Sequence, residues 1–109
     1  MKGENIEWME PWTPIVDPAL RTSLETELSN EVAQGHVLFG RSATALARRS
    51  DQDDVLFAVD NPSQFAVVHL SYAARPDRPP WPDTICFDDI ETFVEGRMRP
   101  DHEEYINAG

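Results

Sequence analysis

Val55-Leu56-Phe57-Ala58-Val59-Asp60-Asn61-Pro62-Ser63-Gln64-Phe65-Ala66-Val67-Val68-His69-Leu70-Ser71-Tyr72 is the stretch that decides the fold. Two apolar runs, rich in β-branched and aromatic residues, flank the turn formers Asp60 to Gln64. Proline pre-sets the φ of a turn corner, and Asn and Ser bond their own backbone. The pattern predicts a β-hairpin with a loop of about four or five residues. Val55, Phe57 and Val59 share one face of the first run, and Leu56 and Ala58 the other. In the second run Phe65, Val67 and His69 oppose Ala66, Val68 and Leu70. Apolar side chains on both faces exclude a sheet with one wet side. Each face therefore needs a cover.

Upstream, Asp17-Pro18 marks a helix start, an acid able to cap followed by proline at the first helical position. Leu20, Leu24, Leu28 and Val32 follow at helical spacing, and Gly35 is placed to end the helix. Gly35-His36-Val37-Leu38-Phe39-Gly40 reads as a short strand or connector, and Ala43 to Arg49 as a strand ahead of the polar loop Ser50 to Asp54. Before the helix, residues 1–16 form an arm carrying Trp8 and Trp12, broken by Pro11 and Pro14. Tryptophans of that size belong over their own domain or on a partner.

Downstream, the four prolines between Ala73 and Asp83 bar a central strand and predict an exposed, extended loop anchored by Trp81. Thr84 to Phe87 is a further short strand. Asp88 is placed to cap a second helix from Asp89 to about Met98, which Pro100 should stop. Residues 100–109 then form a polar tail that frays. The expected architecture is α+β: one domain over 17–99, with a helix, an antiparallel meander of four or five strands and a C-terminal helix. Both helices are expected on one sheet face. The arm is the expected cover of the other face, and a homodimer the alternative.

With 109 residues the chain has room for one domain, large enough to need no disulfide or metal. The single cysteine, Cys86, cannot form an internal disulfide and points to a reducing compartment. Met1 to Asn5 lead into acids, not into a signal-peptide core, and no apolar run reaches the ~20 residues of a membrane span. The expectation is a cytoplasmic protein. A net charge of −11 and a pI near 4.4 disfavour direct binding to nucleic acid or anionic membranes and favour a basic partner.

The chemistry-bearing residues are scattered. His36, His69 and His102 lie far apart, and Asp51-Gln52-Asp53-Asp54 lacks the glycine and distal glutamate of a calcium loop, so neither a metal nor a cofactor is expected. Cys86 between Ile85 and Phe87 fits an inert thiol in a strand. No catalytic residue stands out. The candidate binding residues are Arg48 and Arg49 with Asp51, Asp53 and Asp54, which read either as a solvated, locally paired hairpin or as a recognition loop. His69, Tyr72 and Trp81 complete the set as polar and aromatic groups of one face.

Three motifs resemble a set of small bacterial proteins of unknown function. They are Gly35-His36-x-Leu38-x-Gly40, the run from Ala45-x-Ala47-Arg48-Arg49 to Asp53-Asp54-Val55-Leu56-Phe57, and Phe65 to Tyr72, with Trp81-Pro82 and the closing helix after them. The resemblance spans roughly Leu24 to Glu104, leaves the arm outside, and implies a single-domain cytosolic bacterial protein with no activity to carry over.

The expected function is a non-catalytic, acidic protein-binding module, monomeric or homodimeric. An immunity or antitoxin-like role is one form, and mimicry of nucleic acid another. The alternative is a small enzyme or ligand binder with a pocket near His69, Tyr72, Trp81 and Cys86.

Overall fold

The computed structural model describes residues 6–108, so the start of the expected arm, 1–5, and the final residue of the tail lie outside the described residues. The chain runs β1 (Trp12–Pro14), α1 (Pro18–Glu31), β2 (Ala43–Arg49), β3 (Asp54–Val59), β4 (Gln64–His69) and β5 (Thr84–Phe87). It closes with a C-terminal helix in three parts: α2 (Ile90–Phe93), a π-helical turn (Val94–Met98) and α3 (Arg99–Ala108). The five strands pair antiparallel in sequence order, an α+β meander.

The hairpin forms as its pattern requires. Val55 pairs with Val68 and Phe57 with Ala66, around a loop in which Asn61 adopts φ +58°. Arg41 clamps that loop from outside, donating to the carbonyls of Asp60 (3.0 Å) and Pro62 (2.5 Å) and to Gln64 Oε1 (3.0 Å).

The two faces of the hairpin feed two cores. Val55, Phe57, Val59, Ala66, Val68 and Leu70 pack with Leu24 and Leu28 of α1. Leu56, Phe65 and Val67 pack with Trp12 of the arm and with Phe93 and Met98 of the C-terminal helix. The helices therefore lie on opposite faces, and the expectation of both on one face is corrected. Full burial of side chains of this size contributes roughly 1.5–3 kcal/mol each, so neither face is left to solvent.

A β-bulge in β2 decides which side chains reach which face. Ala45 pairs with Phe57 and Ala47 with Leu56, leaving Leu46 as the extra residue. Two positions apart on a regular strand share a face. Here Ala45 enters the α1 core, whereas Ala47 enters the Trp12 core. The groups freed at the bulge are bonded: Ala45 N–H to Glu25 Oε2, Ala45 O to Arg21 Nε, and Leu46 O to Ile15 N–H. Beyond the bulge, Arg49 takes the parity of Ala47 and points into the face covered by the arm.

Several ends differ from the sequence reading. Asp17 caps α1 as expected, accepting from Ala19 N–H at 3.0 Å, but α1 stops at Glu31. Gly35 and Gly40, at φ +102° and +77°, instead bracket the following turn. Asp89 caps α2, accepting from Thr92 N–H at 2.8 Å, while Asp88 accepts from Gln64 Nε2. Pro100 does not stop the C-terminal helix. Arg99 N–H bonds the carbonyl of Val94, five residues back, so the ladder has left α register just where proline's missing donor falls. The expected frayed tail is α3, held to the arm by Asp101 and His102. Trp81 is 52% exposed and does not anchor the proline loop. The neighbouring Pro82 does, its carbonyl 3.0 Å from buried His36 Nε2. His36 Nδ1 accepts from Leu38 N–H, so the ring is neutral with its proton on Nε2, donating to Pro82.

Candidate functional site

Two carboxylates organise the arm-covered face. Asp101, on the first turn of α3, receives Trp12 Nε1–H (2.9 Å) and Arg97 Nε–H (2.8 Å) on one oxygen, Oδ2, which also ion-pairs with Arg49 Nη1 at 3.3 Å. Arg97 comes from the π-helical turn and continues to Asp54 Oδ2 at 2.5 Å. Asp54, at the start of β3, also receives His69 Nδ1–H from the paired position of β4, at 2.7 Å. At the other end Arg49 forks onto both oxygens of Asp51, at 2.9 and 3.0 Å. The result is one ionic chain, His69–Asp54–Arg97–Asp101–Arg49–Asp51, with Trp12 bonded to its middle and Arg97 5.8 Å over the indole ring. Burial works against the Arg49 charge, but Asp51, Asp101 and Asp54 outweigh it and hold the guanidinium above its ordinary value.

Four of the eight candidate residues thus meet: Arg49, Asp51, Asp54 and His69. Arg48, one position out of phase with Arg49, is exposed and turns to the other face. Asp53 and Tyr72 are exposed nearby, where burial first and the Asp53 charge second raise the Tyr72 phenol. Trp81 sits apart on the proline loop. Trp12, Arg97 and Asp101 were not among the candidates. Arg97 and Asp101 stand four apart, an ion-pair spacing along a helix, but Pro100 between them argues for a stop.

An open groove of about 460 Å³ lies beside this chain, with Val67 and Ile85 in its floor and Gln52, Asp54, His69, Asp83 and Arg97 around it. His69 points Nδ1 at Asp54, and its Nε2 has no bonded partner among the described residues, on a ring 55% exposed. Tyr72, Trp81 and Cys86 do not line the groove. Cys86 points to the α1 side, and burial pushes its thiol up, away from the thiolate a nucleophile needs. Among the described residues no cluster of three or more His, Cys, Asp or Glu has the geometry of a metal site. No described helix is long and apolar enough to cross a membrane.

On the α1 side a second carboxylate gathers backbone donors. Glu31, fully buried at the end of α1, accepts from Ser71 N–H (2.9 Å) and Tyr72 N–H (2.8 Å), and Glu27 accepts from Ala74 N–H at 3.0 Å. Tyr72 and Ala74 take φ +60° and +59° to present those donors. Burial, and then the adjoining Glu27, raise the Glu31 carboxyl above its usual range.

Surface charge is the remaining feature. Arg21 and Arg41 are committed to backbone carbonyls, and Arg49 and Arg97 to the ionic chain. Among the described residues the exposed arginines are Arg48, Arg75, Arg78 and Arg99, the last paired with Glu95 at 2.9 Å. Asp83, Asp88, Asp89, Glu91 and Glu95 are all exposed and run as a strip from β5 onto the C-terminal helix. Compared with family models, curated proteins and solved structures, the chain matches none of them, so the resemblance to small bacterial proteins rests on its quoted motifs alone.

Proposed function

We propose that this chain is a non-catalytic, acidic binding module for a basic protein surface, the kind of role an immunity or antitoxin protein fills. The observation that carries this reading is where the arginines go. A chain of net charge −11 commits four of them to its own carbonyls and carboxylates, and among the described residues the acids from Asp83 to Glu95 make one ion pair, Glu95 with Arg99. Such a field steers a cationic partner and makes its association sensitive to salt.

The enzyme alternative has less support. Asp54 orients the His69 ring beside the groove, but the aromatic groups and the thiol expected beside it lie elsewhere.

The test is quantitative capture on the immobilised chain, from a lysate, of proteins that dissociate in 1 M salt, where the Debye length is about 3 Å. The expected result is a retained set more basic than the input, lost when Glu91→Lys and Asp89→Asn weaken the strip. Retention of proteins no more basic than background, or unaffected by salt, overturns the reading.

A further inference from the structure

Both edges of the sheet belong to short strands, and they are treated differently. β1 is edged with prolines, Pro11 just before it and Pro14 within it. β5, Thr84-Ile85-Cys86-Phe87, carries neither a proline nor a charge. Its register shows which backbone groups are free. Asp83 O accepts from His69 N–H, so His69 and Asp83 form a bonded pair. Alternation along an antiparallel ladder then makes Val67–Ile85 and Phe65–Phe87 bonded pairs too. Thr84 and Cys86 must therefore direct N–H and C=O away from β4. Among the described residues nothing accepts from either N–H or donates to either carbonyl. Beside these groups Ile85 is 47% exposed. Asp83 stands at one end of the strand, and Asp88 and Asp89 at the other.

We propose that β5 is the docking edge: an extended, basic segment of the partner adds as a sixth strand. Its backbone bonds Thr84 and Cys86, an apolar side chain covers Ile85, and flanking Lys or Arg residues meet Asp83 and Asp88. This deepens the proposed function and rests on it. Charge selects the occupant. Antiparallel self-pairing would lay the Asp83 end of one copy against the Asp88–Asp89 end of another, on chains of −11 each. A Lys- or Arg-bearing strand meets the same ends with opposite sign.

The test uses a labelled peptide of alternating Lys and Val, nine residues long, with fluorescence polarisation and amide hydrogen exchange. Wild type is expected to bind it in a salt-dependent way, with the Thr84 and Cys86 amides protected only in the complex. Cys86→Pro removes an outward donor that the native ladder does not use. It should weaken binding at least tenfold at a temperature where the variant is still folded. Ile85→Lys should weaken it similarly, and Glu104→Gln, an equal charge change on α3, less than threefold. If Cys86→Pro does not fold, protection of the two wild-type amides decides. Binding with no protection there, or equal binding by Ile85→Lys and Glu104→Gln, overturns strand addition but leaves the acidic-module reading standing. No salt-dependent binding of the peptide or of any captured basic protein overturns that reading itself. A wild-type dimer that Ile85→Lys dissolves would make the occupant a second copy and refute the basic strand.

Discussion

Asp101→Ala is the substitution that most directly tests the ionic chain. One oxygen of Asp101 accepts Trp12 Nε1–H and Arg97 Nε–H and ion-pairs with Arg49 Nη1, on a side chain 13% exposed. Its removal leaves the Trp12 indole N–H, on a ring 1% exposed, with no acceptor. An unsatisfied buried donor costs about 1–3 kcal/mol. Arg97 and Arg49 keep Asp54 and Asp51, so neither becomes an unpaired buried charge, and the full ~3–5 kcal/mol of a broken buried pair does not apply. The two effects together come to about 2–4 kcal/mol, a large part of the ~5–15 kcal/mol that holds a small domain folded. In a domain near this size, that lowers Tm by roughly 10–20 °C. Urea unfolding followed by tryptophan fluorescence gives the number, and an unchanged m-value shows that the loss lies in the native state. Trp12→Phe with Asp101→Ala closes a double-mutant cycle, whose expected coupling is about 1 kcal/mol. A loss below about 0.5 kcal/mol, the level of an ordinary surface change, would refute the claim that α3 is fastened to the arm through this carboxylate.

Glu31 predicts a pH response of unusual sign for a carboxylate. Its folded pKa lies above the ordinary 4.5, so its contribution to stability is complete below that value and is lost as pH rises through the raised one. Glu27→Gln removes the neighbouring charge and should raise the urea midpoint at pH 8 more than at pH 4; an equal shift at both would sink the argument. His36→Ala leaves the Leu38 N–H and the Pro82 carbonyl without the imidazole. It should cost about 1–3 kcal/mol and speed exchange at the ladder-bonded Ile85 amide, next to Thr84, whose hydroxyl His36 also reaches at 3.2 Å. Unchanged exchange there would show that the proline loop is held by something else.

The hairpin was legible because its signal is local: alternation and a turn cluster fix register, and apolar residues on both faces demand two covers. Which helix covered which face was not legible, because it depends on crossovers that the period of a strand does not encode. The β2 bulge hid more. Strict alternation puts Ala45, Ala47 and Arg49 on one face, whereas the extra residue Leu46 sends Ala47 and Arg49 to the other. Half of the ionic chain follows from that single inserted residue. Its other half was obscured by Pro100, which marks a helix end by the usual rule yet lies inside a continuous helix here. The pairing of His69 with Asp54 across β3 and β4 was implicit in the hairpin register, which sets them opposite one another. The exposed Trp81 misled in the other direction, since size alone suggested an anchor that the buried Pro82 supplies.

Salt separates the two consequences of committing arginines to internal partners. Arg49 and Arg97 bond partly buried carboxylates and Arg21 and Arg41 bond backbone carbonyls, so among the described residues Asp83, Asp88, Asp89 and Glu91 stay exposed without an ion pair. Their mutual repulsion acts on the folded chain and is screened once the Debye length falls from about 10 Å at 0.1 M to about 3 Å at 1 M. Sodium chloride should therefore raise the urea midpoint over that range. The ionic chain around Asp101 is partly buried and loses less to screening, so it does not reverse the trend. The same screening removes the attraction for a cationic partner, so binding should weaken over the range in which the fold strengthens. Opposite signs in two titrations of one protein are a demanding result. A fold that weakens with salt would mean that surface ion pairs, and not the inward arginines, dominate its electrostatics, and the case for an acidic docking strip would go with it.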